Sequence, residues 1–296
     1  MKLAFVYNID DVGMSGTHWT NNAYRFFIKG LTRFAGIEHE TFAVRQEVDC
    51  KRFAGFDAVI FYSLENLCPI GLDKLNAIKV VRAPDPHAIT LEWVQTVGRG
   101  KVDLIINHHT PEYMYSYLPT CLNYEQIIFG ITKELHTNPP FDKRLNAIVQ
   151  AGEIGRDQFY RLRKKCCALQ GVEHVTKSFG YTGDRYPALL SQYKAGIAAC
   201  TVSSVYKYFE VPACGCLSFM EVNERNGCDN LGFVDGKSAV FINESNYKSK
   251  IAEYVADPDN PRWRAIARKG RQVVMTQYEN EAQIAKLLRA IEEVAV

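Results

Sequence analysis

The stretch Lys207-Tyr208-Phe209-Glu210-Val211-Pro212-Ala213-Cys214-Gly215-Cys216-Leu217-Ser218-Phe219 sets a cation and a carboxylate three residues apart, then small residues and a glycine, then a short apolar run. The pattern predicts a helix that starts near Lys207, breaks near Gly215 and feeds a buried strand over 216–220. A spacing of three puts Lys207 and Glu210 on one helical face, where both can meet a single ligand. The ammonium suits a diphosphate and the carboxylate suits ribose hydroxyls, so the pair fits a nucleotide sugar. The same spacing also fits an ordinary surface ion pair, which would carry little energy.

Working outward, strand and helix patterns alternate. Apolar runs at 2–8, 39–44, 58–62, 79–83 and 102–107 read as strands, with helices expected over 21–34, 72–78 and 91–97. A second series follows, with strands over 146–150, 172–176 and 196–200, and helices over 159–169, 247–255, 265–276 and 279–296. This alternation predicts parallel, doubly wound sheets, in which ligands bind beyond the carboxyl ends of the strands. The chain's 296 residues suffice for two such domains. Pro139-Pro140, within a linker-like region over 118–141, marks the boundary between them.

The segment around Lys207 resembles the phosphate- and ribose-binding segment of GT-B glycosyltransferases, in particular the group 1 and CgeB-like group. There a basic residue, an aromatic and a Glu precede an Ala-Cys-Gly turn and a strand. The resemblance runs over 177–278 and includes Leu231-Gly232-Phe233, Val240-Phe241-Ile242 and Asp257-Pro258-Asp259-Asn260-Pro261-Arg262-Trp263. It implies an α/β chain of the GT-B fold, two Rossmann-like parallel-sheet domains facing a cleft. The expected domains are 1–135 on the acceptor side, 136–278 holding the nucleotide sugar, and a helix over 279–296 that returns to the first. The implied activity is metal-independent transfer of a sugar from a nucleotide diphosphate donor, UDP-linked by preference, to an acceptor hydroxyl. One departure stands out. The pattern places another Glu eight positions before Glu210, where this chain has Val202, which leaves the donor sugar open.

Candidate site residues sit at strand ends. After the strand ending near 150, Gly152 and Arg156 form a turn suited to a diphosphate. The resemblance adds Tyr181, Gly183, Tyr206 and Gly215 to Lys207 and Glu210 on the donor side. Ile9-Asp10-Asp11-Val12-Gly13-Met14-Ser15-Gly16-Thr17-His18 follows the first strand, and its glycines precede a helix; this is not a Gly-x-Gly-x-x-Gly fingerprint. By resemblance Gly13, Ser15, Gly16 and His18 line the cleft, while a plain turn fits the same residues. Arg82-Ala83-Pro84-Asp85-Pro86-His87 and Asn107-His108-His109 close two further strands. Asp85, His87 and His109 are candidates for the base that an acceptor hydroxyl needs. Adjacent histidines are expected to point in different directions, so His109 alone is retained, and no zinc site is expected from the pair. The aromatic run Tyr113, Tyr115, Tyr117 and Tyr124 fits either sugar stacking or packing.

Composition narrows the classes without choosing among them. A net charge of +2, 47% apolar and 23% charged residues describe an ordinary globular chain with no strong field. No apolar run suggests a membrane span and the chain opens directly on a strand, so a cytoplasmic location is expected. Nine cysteines, an odd and scattered set, do not form a secreted disulfide framework. Cys214, Cys216 and Cys228 lack a fourth zinc ligand, and Cys166-Cys167 lies among basic residues that would lower a thiol pKa. No cofactor and no metal are expected. The acceptor stays open between a glycan, another small molecule and a hydroxymethylated DNA base of the phage type, which would call for base flipping. A non-catalytic nucleotide- or sugar-binding protein and a sugar-nucleotide epimerase are the alternatives in kind.

Overall fold

The structure, a computed structural model, describes residues 1–295 except Thr17, Trp19, Ala35, Ser63 and 177–179, and describes His87 by its backbone only. It divides into two compact units, one of residues 1–130 with 280–296 and one of residues 131–279.

The first unit is built on β1 (Lys2–Asn8), β2 (Glu38–Val44), β4 (Ala58–Phe61), β6 (Ile78–Arg82), β7 (Leu104–Asn107) and β8 (Tyr124–Gln126). They form one sheet in the order β2-β1-β4-β6-β7-β8, every pair parallel. A small parallel pair joins β3 (Glu47–Asp49) to β5 (Cys68–Ile70). Strands β4 and β7 are buried along their whole length, as expected where both faces of a parallel sheet are covered. One face carries a block of rings in which Phe5 stacks on Phe27 at 4.6 Å, with Phe26 and Phe129 against it. Because β4 pairs with β1 on the side away from β2, the winding reverses between them, and a doubly wound sheet opens its ligand crevice there.

The helices of this unit are shorter than the sequence predicts. Over 21–34 the chain takes a π-helical path at Tyr24–Gly30 and then a 3-10 turn at Leu31–Arg33. Two devices shape that stretch. Asn21 enters it with φ +58, and Gly30 lies where a side chain would press on Ile284 at 3.1 Å. Residues 72–78 make only a 3-10 turn, Leu72–Lys74, before β6 begins at Ile78. The regular helices are α1 (Leu91–Arg99), with Thr90 accepting from the backbone N–H of Trp93, and α2 (Pro111–Met114).

The second unit has β9 (Leu145–Ala151), β10 (Val172–Val175), β11 (Tyr193–Ala198), β12 (Leu217–Glu221) and β13 (Val240–Ile242), again all parallel, in the order β10-β9-β11-β12-β13. Its reversal falls between β9 and β11. Its helices are α3 (Asp157–Cys167), α4 (Tyr186–Leu190), α5 (Lys207–Ala213), α6 (Tyr247–Ala256) and α7 (Pro261–Gln277). Pro139 and Pro140 lie inside this unit, where the Pro139 carbonyl accepts from Arg144. Arg271 on α7 donates to the carbonyls of His136 and Ala213 and so ties the unit's first residues to the end of α5.

The last helix, α8 (Asn280–Glu293), packs in the first unit. Its polar side chains finish the backbone beyond β8: Gln283 Oε1 accepts from the N–H of Ile128 at 2.7 Å, and Asn280 Oδ1 from that of Gly130 at 2.8 Å. Lys286 donates to the Gln126 carbonyl and pairs with Glu125. Gly130 has φ +79, and a Cβ there would lie 2.4 Å from Asn22 Cα. Gly130→Ala therefore suffers both backbone strain and overlap. It should cost at least about 1–3 kcal/mol, read as a lowered Tm in calorimetry, whereas Gly55→Ala, with open space around its Cβ, should be near neutral.

Candidate functional site

In the second unit the loops after β9 and β11 and the start of α5 come together through a buried cation. Arg163 of α3, 2% exposed, donates from Nε to the Ala199 carbonyl at 2.8 Å and from Nη1 to the Glu153 carbonyl at 3.0 Å. Its guanidinium lies 3.9 Å from the Tyr160 ring centre. Charge alone reads the helix as a solvated basic face, and the structure corrects this for Arg163. Arg161 and Lys165 do pair with exposed Glu244, and Lys164 with Asp157. The missed signal was periodic: Leu162, Arg163 and Cys166 share the buried side of α3.

Lys207 and Glu210 open α5, and both are buried, so they are not a surface ion pair. Lys207 Nζ donates to the Tyr186 hydroxyl at 2.9 Å. Burial, helped by the positive charge of Arg163 and opposed by Glu210, lowers the Lys207 pKa to about 7. Burial and then the Glu210 charge raise that of Tyr186. Tyr208, on the same helix, accepts from the Cys200 N–H and donates to the Glu221 carbonyl, which fixes α5 to the ends of β11 and β12.

Gly152 follows β9 with φ +91, its carbonyl 2.8 Å from His174 Nε2, and Arg156 reaches Glu153 at 3.4 Å from an exposed position. Tyr206 immediately precedes α5, and its carbonyl accepts from Phe209 and Glu210. Gly183, φ +58, starts the turn before α4, and Tyr181 accepts from Gln192 and faces Arg185. Gly215 has another task. With φ +71 it ends α5, and a Cβ there would fall 2.0 Å from Asn138 Oδ1. It serves the turn and the Asn138–Arg144 contact at the far end of the helix from Lys207.

Burial makes Cys166, Cys167, Cys214 and Cys216 poor nucleophiles. Burial pushes the Cys166 thiol up to about 12 and Cys167 to about 11, against the expectation from neighbouring charges. Cys214 and Cys216 donate to the Pro187 and Leu190 carbonyls.

In the first unit the loop after β1 folds onto itself. Asp11 accepts from the Gly13 N–H, Ser15 Oγ donates to the Val12 carbonyl, Gly16 (φ +75) lies against the Tyr24 ring, and His18 Nδ1 accepts from Thr20. These local bonds account for the loop as a turn. Beyond β6 and β7, Asp85, His108 and His109 converge, with one ligand-type atom from each lying within 4.8 Å of the others. The two imidazole centres are 4.0 Å apart, so the expectation that adjacent histidines diverge is corrected. Arg82 lies between Glu65 at 3.9 Å and Asp85 at 3.8 Å, over the buried Tyr62 ring; neither it nor Glu65 stood out in the sequence. The side chain of His87 lies outside the described residues. Tyr124 is buried packing, its hydroxyl donating to the carbonyls of Asn107 and His109, while Tyr113 and Tyr117 stack outward from His109.

Residues 160–289 match the family described as glycosyl transferase-like. This segment, somewhat under half of the chain, is similar to that family. The chain as a whole has the GT-B fold. It superposes over 99% of its length on Anabaena Alr3699/HepE in complex with UDP (TM-score 0.62, 12% identity, all of that chain covered). It does so equally on an alpha-glucosyltransferase (AGT) in complex with UDP (0.62, 12%, all of that chain). A glycosyltransferase from Rickettsia africae gives 0.63 at 11% identity, with 98% of that chain covered. No curated protein sequence matches the chain. Among the described residues no helix is long and apolar enough to cross a membrane.

Within the family-matched segment sits Glu221, at the end of β12 and 2% exposed, with Oε1 accepting from Asn223. Burial raises its pKa to about 7; bonds from Thr201 and Asn223 and the charge of Arg163 oppose the rise. A carboxyl that titrates higher folded than unfolded costs stability as pH rises from its unfolded value near 4.5 to about 7, and the cost is constant above that. Glu221→Gln should therefore raise the unfolding free energy at pH 8 by on the order of 2–3 kcal/mol, seen as a higher Tm, and leave both nearly unchanged at pH 4. A pH series of thermal melts reads the difference.

Proposed function

We propose that the chain is a glycosyltransferase that takes its sugar from a UDP-linked donor held by the second unit and gives it to an acceptor hydroxyl held by the first. The observation that carries the reading is the buried Lys207–Glu210 pair of α5, within the family-matched segment and beside the winding reversal of the β9–β13 sheet. Burying two ionisable groups is costly unless something compensates, and a nucleotide diphosphate does so in kind. The Lys207 ammonium neutralises phosphate and the Glu210 carboxylate accepts from ribose hydroxyls. Arg156 adds an exposed cation ahead of α3, and Gly152 the turn that leads to it. Tyr206 stands just ahead of α5 and Gly183 in the turn before α4, whose Tyr186 meets Lys207, whereas Tyr181 meets Gln192 ahead of β11. On this reading no metal is needed on the diphosphate, because Lys207 and Arg156 take up the leaving-group charge. The base for the acceptor is drawn from Asp85, His87 and His109, and Gly13, Ser15, Gly16 and His18 shape the acceptor loop. The donor sugar stays open because Val202 stands where a carboxylate is usual.

For the acceptor, a hydroxymethylated DNA base is the second reading. It is favoured by the superposition on the alpha-glucosyltransferase complexes with DNA, one containing an HMU base, over 99% of both chains. The net charge of +2 gives no broad attraction for duplex DNA, so a small glycan acceptor remains the first reading.

The test is a binding scan of UDP, GDP, ADP and dTDP by calorimetry, followed by UDP-sugars with candidate acceptors. UDP should bind tightest, and Glu210→Gln should weaken it by about 1–3 kcal/mol, the scale of a charge-assisted bond. Unchanged UDP affinity in a folded Glu210→Gln protein overturns the ribose assignment. Release of sugar to acceptor or water separates transfer from plain binding, and conversion of a sugar still attached to UDP would mark an epimerase.

The lowered Lys207 pKa adds a pH signature. In the free protein the side chain loses its proton near pH 7, and a bound diphosphate restores it. UDP binding should therefore take up a proton, and affinity should fall towards tenfold per pH unit above about 7. Lys207→Met should abolish both effects. Calorimetry in buffers of different ionisation enthalpy measures the uptake directly.

A further inference from the structure

We infer that Asp85, His108 and His109 form a binding site for a divalent transition-metal ion of the zinc class. Two imidazoles and one carboxylate, with a fourth position left open, are the ligand number and type of an open zinc site. The three ligand-type atoms lie within 4.8 Å of one another. Zinc bonds of about 2.0–2.2 Å in a tetrahedron put ligand atoms roughly 3.4 Å apart. Closing on an ion thus asks for shifts on the order of 1 Å among the three side chains, of which that of Asp85 is 51% exposed.

The surroundings hold these ligands as outer groups hold those of metal sites. Asn107 Nδ2 donates to the carbonyls of Ala83 at 2.7 Å and Pro84 at 3.1 Å, and its Oδ1 accepts from the His108 N–H at 2.5 Å. One side chain therefore couples the loop that carries Asp85 to the loop that carries both histidines. From β8, Gln126 donates to the His108 carbonyl at 3.0 Å and Tyr124 to the His109 carbonyl at 2.7 Å. Both histidine backbones are pinned on the strand side while their rings lie together. Asp85 precedes the turn Pro86–Ala88 without capping it by its side chain, so local structure makes no demand on the carboxylate. Arg82 opposes a cation, being 3.8 Å from Asp85, but Glu65 at 3.9 Å offers it another partner. With neutral imidazoles the five groups sum to a net charge of −1, from two carboxylates and one guanidinium.

The inference does not rest on the transfer reading, since all three ligands belong to the first unit and the diphosphate contacts proposed above to the second. It does compete with one part of that reading: an ion on Asp85 and His109 makes them ligands instead of free bases.

The experiment uses the full chain, stripped with a chelator and then titrated with Zn2+ and separately with Co2+. Bound metal is counted by mass spectrometry and the cobalt site is read by visible absorption. The expected result is one ion per chain and visible cobalt bands without the near-ultraviolet band of a thiolate ligand. Asp85→Asn should weaken binding by more than the roughly 10- to 100-fold that loss of an outer-shell partner costs. His109→Gln should do the same. Because Asp85 is exposed, its variant should keep the fold, which circular dichroism verifies. A folded Asp85→Asn protein that binds the ion as tightly as wild type overturns the site. So does a thiolate band, or the absence of a stoichiometric ion in the wild type.

Discussion

The buried guanidinium of Arg163 is the interaction on which the strand ends of the second unit depend. Parallel strands end in carbonyls that no neighbouring strand can satisfy, and the loops beyond β9 and β11 must be held without adding another strand. Arg163 donates to one carbonyl from each loop, at Glu153 and Ala199. A guanidinium suits this because its donors are fixed in one plane and it keeps its charge when buried. The same charge acts on Lys207, whose proton it helps to expel. A structural tie and an electrostatic bias therefore come from one side chain.

The first unit solves the same problem with neutral groups. Asn107 joins the loops beyond β6 and β7 through two donated bonds and one accepted bond, and Tyr124 and Gln126 take the carbonyls that follow. Neutral amides and a phenol pin the backbone without fixing a charge at the strand ends. The ionisable groups there, Glu65, Arg82, Asp85, His108 and His109, are set by contact with one another. Burial raises the Glu65 pKa, while a backbone hydrogen bond and then the charge of Arg82 oppose the rise.

Most of the fold was legible because it rests on period and punctuation. The strands are short apolar runs bounded by polar turns, and α5 breaks at Gly215 as the local sequence requires. The failures have a common cause. At Tyr24–Gly30 a π-helical path replaces the expected helix where Gly30 packs against Ile284, 254 positions away, and at 72–78 only the turn Leu72–Lys74 forms before β6 begins. At the site, spacing found Lys207 and Glu210 but could not say that they were buried. Arg163 was hidden in a run of basic residues, since composition shows charge and not direction. The convergence of His108 with His109 depends on Asn107 and Gln126 holding the turn, which no rule about neighbouring residues contains. Basic neighbours suggested a lowered pKa for Cys166, yet burial dominates and raises it.

Lys207 shows what burial costs at the start of α5. A lysine held near a pKa of 7 has lost much of the hydration that stabilises its ammonium, and its bond to the Tyr186 hydroxyl replaces only part of that. Glu210, 1% exposed on the same helix, meets the same low dielectric. An apolar pair at these two positions would pack more cheaply. The cost is tolerable if a ligand that brings charge and hydroxyls together recovers it, and the recovered energy then favours that ligand over one lacking either part. A lone phosphate answers only the lysine and a nucleoside only the carboxylate. On the proposed reading, a molecule in which a diphosphate and a ribose are joined would recover the cost of burying both groups, and either part alone would recover only half of it.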